Sequence, residues 1–202
     1  MKKVLLICGC IILTVAAVAA GVKYFGTPGG KVISIMGSIK GFDSIEEMES
    51  QSSLIIIGSP EKDFLSCTPT IKYDDNGRYE DFFTLRKIKI DKVLKGDKDF
   101  ETIDVVEAAA AINNDPFKYQ KDILTDEGYT PMEKGKKYLL FLKKNRNERN
   151  IIMGVYHGKF NLDGQDALEK KAVEKTRHYK NLKQQALEEY KNEISSVVPV
   201  TE

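Results

Sequence analysis

The chain has 202 residues, 42% of them hydrophobic and 30% charged, with a formal charge of +1. That make-up is ordinary for a globular protein and suits one domain of about 150–180 residues with extensions. No acidic residue precedes Phe25, whereas Lys2, Lys3 and Lys23 do, so the remainder carries 28 basic against 30 acidic residues. A near-neutral body excludes a basic footprint for nucleic acid.

Met1-Lys2-Lys3 is followed by nineteen uncharged residues, Val4 to Val22. A basic start before an apolar run marks an export signal. Nineteen residues at about 1.5 Å rise nearly span a bilayer, which fits an uncleaved anchor. Ala17-Val18-Ala19 equally offers the small-x-small pattern of a cleaved signal, giving a mature chain from Ala20. Ile7-Cys8-Gly9-Cys10 loosely resembles a lipobox, although the apolar run continues well past Cys10. In all three cases Lys2 and Lys3 stay cytoplasmic and the body is exported. With Cys8 and Cys10 in this segment, Cys67 is alone in the body, so neither an intramolecular disulfide nor a Cys-rich zinc site can staple it.

Gly26-Thr27-Pro28-Gly29-Gly30 reads as a flexible spacer, and Lys31 to Ile39 holds a short strand. Ser44-Ile45-Glu46-Glu47 has capping-box spacing and opens a short helix through about Gln51. Leu54-Ile55-Ile56-Ile57-Gly58 is a strand buried on both faces. Residues 59–81, with Pro60, Pro69 and Asp74-Asp75-Asn76-Gly77, form a loop or hairpin. Phe82 to Gly96 then reads as one long strand whose apolar phase shifts: Phe83 and Leu85 share one face, Ile88 and Ile90 the other, and Val93 shifts again. A bulge or strong coiling is needed to keep both sets inside, as in a small barrel.

After Gly96 a turn leads to a strand from Thr102 to Glu107. Ala108 to Gly135 reads as a long loop, its four alanines starting a helical turn that Asn113-Asn114-Asp115-Pro116 breaks. Tyr138 to Leu142 is a second fully buried strand. Ile151, Met153 and Val155 alternate in the next, which Phe160 and Leu162 extend or pair before the turn at Asp163-Gly164. Asp166-Ala167-Leu168-Glu169 has capping spacing again and opens a long amphipathic helix, with Leu168, Ala172, Tyr179, Leu182, Ala186, Tyr190 and Ile194 close to one face. The expected fold is α+β: a small antiparallel barrel of about five or six strands with a short N-terminal helix and a long C-terminal one, after an N-terminal hydrophobic helix. The segments are 1–25 signal or anchor, 26–43 spacer and short strand, 44–164 barrel, 165–196 helix and 197–202 tail.

LIIIGSPEK, TLRKIKIDKVLKG, EKGKKYLLFL and YHGKFNLDG together resemble a pattern in small, uncharacterised exported proteins of Gram-positive bacteria. Their globular part is similar to the OB-like barrel of the tissue-inhibitor-of-metalloproteinase and netrin module. The resemblance covers roughly Ser44 to Gly164, and its most specific pieces are Val93-Leu94-Lys95-Gly96 and Gly135 to Leu142. The eukaryotic inhibitors reach a protease metal through a disulfide-anchored N-terminal cysteine. This body has only Cys67, so the resemblance implies the barrel and not the inhibition.

The candidate chemistry is sparse. His157 and His178, the latter with Glu174 four residues earlier, lack convergent partners and read as surface or structural. Asp74 to Gly77 and Asp163 to Asp166 lack the alternating carboxylates and closing Glu of a calcium loop, so turn chemistry explains them. Cys67 has no positioned base beside it. No nucleophile-elbow, zinc-protease, Walker A or dinucleotide motif occurs. No metal or cofactor is expected. Phe117, Tyr119 and Tyr129 in the long loop are the candidates for a contact surface. The expectation is a non-enzymatic, membrane-tethered or secreted module binding a protein or envelope component. The alternatives are a hydrolase whose carboxylates converge only in the fold, or a structural envelope part that oligomerises through its C-terminal helix.

Overall fold

The computed structural model of the chain describes residues 30–37, 41–97, 99–113 and 121–198. The N-terminal apolar run expected to act in export, most of the spacer and the tail from residue 199 lie outside them. Among the described residues no helix is long and apolar enough to cross a membrane.

The chain opens with β1 (Val32–Ile35) and α1 (Ile45–Gln51). Ser44 caps α1 by accepting from the Glu47 N–H, while Glu47 reaches back to the Asp43 N–H, so the capping spacing does its work one residue early. Next come β2 (Leu54–Pro60), a one-turn 3-10 segment at Phe64–Ser66, β3 (Pro69–Tyr73) and β4 (Tyr79–Lys95). The strands that follow are β5 (Thr102–Glu107), β6 (Ala109–Ile112), β7 (Asp122–Asp126), β8 (Tyr138–Lys144), β9 (Asn150–Ile152) and β10 (Lys159–Asn161). Three helices close the described chain: α2 (Ala167–Lys175), α3 (Arg177–Glu189) and α4 (Lys191–Ser195).

The long strand β4 organises the architecture. Its first part pairs with β3 and β5, and its second part with β2. β5 joins β9, β9 joins β8 and β8 returns to β2, which closes a barrel of five strands. Four seams are antiparallel and the β5–β9 seam is parallel, a departure from the all-antiparallel expectation. Twice along the β2–β4 seam the register slips, leaving Leu94 and then Asp91 of β4 without an opposite residue. These bulges bend the strand around the barrel, and the one at Asp91 carries the shift from Ile90 to Val93 read in its sequence. Gly58 lies at the second slip, where a Cβ would stand 2.6 Å from the Lys89 carbonyl oxygen and 2.8 Å from Ile88 Cγ2. Only glycine lets the two backbones approach so closely.

Both faces of β2 and of β8 through Leu142 are buried, as their unbroken apolar runs require. Leu54, Ile56, Tyr138, Leu140 and Leu142 turn into the barrel with Ile88, Ile103 and Val105. Ile55, Ile57, Leu139 and Phe141 turn outward against α1 and α3, meeting Ile45, Met48, Tyr179, Leu182 and Ala186. Each such side chain contributes about 1.5–3 kcal/mol by leaving water.

Four local expectations are corrected. Ala108 to Gly135 is not one long loop, because β6 and β7 form a three-stranded sheet with β1. The alanines run extended because both faces of β6 are covered, Ala109 and Ala111 by the barrel core and Ala110 by the small sheet's own cluster. β10 pairs with β8 rather than extending β9, since Met153 to Gly158 turns the chain back. Leu85 is 41% exposed although Phe83 on its face is covered by the Arg149 guanidinium, and the inward phase of this part of β4 is Thr84, Arg86 and Ile88.

The long C-terminal helix is broken at Thr176, whose backbone is extended (φ −123°, ψ 99°), and again at Tyr190. A straight helix cannot follow the curved wall while also presenting Asp166 and Glu169 to β10, so α2 and α3 take different phases. Tyr179, Leu182, Ala186 and Tyr190 are buried against the barrel, whereas Leu168 is 42% exposed.

Candidate functional site

The outer edge of β10 sets the site. β8 pairs with one side of this strand only, and the other side would expose bare backbone groups. Helical side chains fill the place of a missing strand. The Asn161 N–H donates to both carboxylate oxygens of Glu169 (3.0 and 2.8 Å), and the Tyr179 hydroxyl donates to the Lys159 carbonyl. Lys183 donates to Glu169 at 2.5 Å. Asp166 caps α2 through the Leu168 and Glu169 N–H groups and accepts from the Tyr138 hydroxyl at 2.9 Å.

The Lys159 side chain reaches across to the turn after β7. Its ammonium is buried, donates to the carbonyl and the hydroxyl of Thr130, and lies 4.7 Å from the centre of the Tyr129 ring. Burial lowers its pKa, and the Glu169, Asp166 and Glu107 carboxylates oppose that shift.

Above these groups opens a cleft of about 390 Å³. Lys159, Glu169 and Tyr179 form its floor, and Tyr156, Thr130 and Thr176 its walls. Glu127, Gly128, Leu168 and Lys171 ring the mouth. Two facing turns carry left-handed non-glycine residues, Glu127 (φ 48°) and Val155 (φ 61°). For a β-branched residue this conformation is an outlier that costs about 1–3 kcal/mol. Val155 immediately precedes Tyr156 and Glu127 lines the mouth, so both strained positions border the cleft. Burial, then the Glu127 charge, pushes the Tyr156 phenol up. Tyr179 is raised well above its usual range by burial and by Glu169.

His157 follows Tyr156 and is buried. Its Nδ1 has no partner among the described residues, and its ring centre lies 4.6 Å from Tyr156 and 5.4 Å from His178. Burial, then the neighbouring His178, holds its pKa below the usual histidine value.

A second buried network braces the cleft from below. Arg86 forms an ion pair with Glu107 and donates to the carbonyls of Lys62 (2.7 Å) and Met132 (3.3 Å). Glu107 also accepts from the Tyr129 hydroxyl and the Met132 N–H, both at 2.7 Å. The segment between β7 and β8 is therefore fastened to the barrel at Tyr129, Thr130 and Met132.

Of the expected contact residues, Phe117 and Tyr119 lie outside the described residues. Tyr129 is turned inward, its ring in the barrel core and its hydroxyl on Glu107, so it offers no outer surface. The Cys67 thiol donates to the Asp63 carbonyl at 3.5 Å. Asp74 accepts from the Asn76 and Arg78 N–H groups, and Asp163 from those of Lys137 and Gln165, so these carboxylates build turns. Among the described residues no three His, Cys, Asp or Glu side chains gather to hold a metal ion.

Sequence reading missed Arg86, Glu107, Lys159 and Glu169. A signal existed for the first: Arg86 alternates in phase with Ile88 and Ile90, which marks an inward arginine in need of a buried acid. Lys159 and Glu169 carry no such mark, because their burial depends on α2 folding back over β10. Comparison of the chain with protein-family models, with curated proteins and with solved structures finds no match in any of the three, so the reading of the cleft rests on its geometry.

Proposed function

We propose that the chain is an exported, non-enzymatic binding module of the cell envelope, tethered by its N-terminal segment, with the cleft over β10 as its ligand site. The carrying observation is the state of the cleft's floor. Glu169 accepts from Asn161 and Lys183, Lys159 donates twice to Thr130, and the Tyr179 hydroxyl is committed to a backbone carbonyl. Groups so committed make a rigid, preorganised surface rather than an acid and a base free to move protons. Export is supported by the basic start and the apolar run from Val4 to Val22. The barrel's connectivity supports an OB-like assignment: in chain order its strands close as first, second, third, fifth, fourth, with the third and fifth parallel.

Two measurements on the full chain test this reading. Protease added to intact cells should remove a C-terminal tag, and a tag protected until the cells are lysed overturns export. A photo-crosslinking residue at Leu168, on the rim, should capture an envelope component. Capture from a site on the far side of the barrel, at Lys87, with none from Leu168 overturns the cleft.

A further inference from the structure

The charges lining the cleft decide which ligand it accepts. Among the described lining residues two are acidic, Glu127 and Glu169, and two are basic, Lys159 and Lys171, so their charges balance. The deep pair is already compensated: Lys183 serves Glu169, and Asp166 and Glu169 act on Lys159. A charged group driven to the floor would leave water for deep charges that are already paired, a cost of several kcal/mol by order of magnitude, with only Glu127 and Lys171 at the mouth left to meet it. The opposite charges at the mouth give no steering to either sign.

A wholly apolar ligand fits no better. Thr130 accepts from Lys159 through its hydroxyl oxygen and keeps its own proton to donate. The Thr176 hydroxyl makes no capping bond to α3. Covering these groups and Glu127 with hydrocarbon would strip their water without replacement, at about 1–3 kcal/mol each. The half-buried Tyr156 ring, held edge-on at 5.9 Å by the buried Tyr179, together with the half-exposed Leu168 calls for a flat apolar face between the polar edges. An uncharged pyranose has this character, with C–H faces for the ring and hydroxyl edges that both donate and accept.

From this combination of a charge-balanced floor, an apolar rim of Tyr156 and Leu168, and unspent threonine hydroxyls, we propose that the cleft binds an uncharged sugar residue of an envelope glycan. The proposal rests on the cleft being the binding site, and its test is chosen to fail separately from that reading. The full chain in lipid nanodiscs would be titrated with cellotriose and chitotriose, with dialanine and inorganic phosphate as the charged probes. At least one trisaccharide should bind and protect Tyr156 in saturation-transfer spectra. Leu168→Arg should weaken it at least tenfold, and because Leu168 is half-exposed this change should leave the fold intact by circular dichroism. Thr130→Val, which keeps the side-chain shape, should weaken it several-fold. Dialanine or phosphate binding that Leu168→Arg alters, or no binding by either trisaccharide, overturns the sugar assignment. A non-glycan envelope component crosslinked from Leu168 likewise overturns the sugar while leaving the binding module standing.

Discussion

Arg86 and Glu107 occupy diagonal positions on adjacent strands, Arg86 opposite Val105 and Glu107 opposite Thr84, and form an ion pair inside the barrel with both side chains about 1% exposed or less. Each is satisfied further by backbone: Arg86 by the carbonyls of Lys62 and Met132, Glu107 by the Met132 N–H. A sealed pair of this kind adds little net stability over a hydrophobic pair of the same shape, but removing one partner leaves the other charge stranded. Glu107→Leu should therefore cost about 3–5 kcal/mol in urea unfolding followed by circular dichroism. Arg86→Met should cost about 1 kcal/mol less, because Glu107 keeps the Tyr129 hydroxyl and Met132 N–H as donors. A double variant costing the full sum of the two would refute the coupling.

The slipped register at Gly58 predicts a sharp difference between two glycines. Gly58→Ala drives a methyl against the Lys89 carbonyl and should cost about 1–3 kcal/mol. Gly41→Ala, where a Cβ meets nothing within 4 Å, should change stability by no more than about 0.5 kcal/mol. Thermal unfolding of the two variants side by side gives the comparison.

Glu169 holds the edge of β10, so its loss should be felt locally. Glu169→Ala leaves the buried Asn161 N–H unpaired, at about 1–3 kcal/mol. Hydrogen exchange should speed up at Asn161 and along α2, while β2 and β8 stay protected. Uniform exchange changes across the barrel would argue that the helix does more than cover one strand.

His157 predicts an acid-side loss of stability. Its folded pKa lies below the ordinary histidine value of 6.5. As pH falls below about 6.5 the unfolded chain takes up a proton that the folded chain refuses, so stability is complete above that pH and declines beneath it. The slope from this one group is at most about 1.4 kcal/mol per pH unit. His157→Phe should flatten the stability profile between about pH 7 and 5, whereas His178→Gln, at an exposed position, should only ease it. An unchanged profile in His157→Phe would place the acid sensitivity elsewhere.

Much of the barrel was legible because its seams are written as local patterns. Leu54 to Ile57 and Tyr138 to Leu142 are unbroken apolar runs, and a strand covered on both faces can be built from little else. The shift of phase from Ile90 to Val93 announced the bulge at Asp91. The small sheet was hidden because Ala108 to Ala111 has the composition of a helix, and only covering on both sides holds it extended. The C-terminal helix misled for the opposite reason: its apolar spacing is continuous across Thr176, but the wall it packs on is curved.

Composition, the apolar start and the alternation of side chains were sufficient by themselves for a near-neutral body with a curled set of strands behind an apolar N-terminal run. Those properties depend on neighbours in the chain, where spacing translates directly into a face. The cleft depends on residues far apart, with Thr130, Lys159, Glu169 and Tyr179 brought together by the return of α2 and α3 across an unpaired strand edge. Whether a lysine or glutamate is solvated or buried is settled by what packs over it, and that covering is a property of the tertiary structure alone.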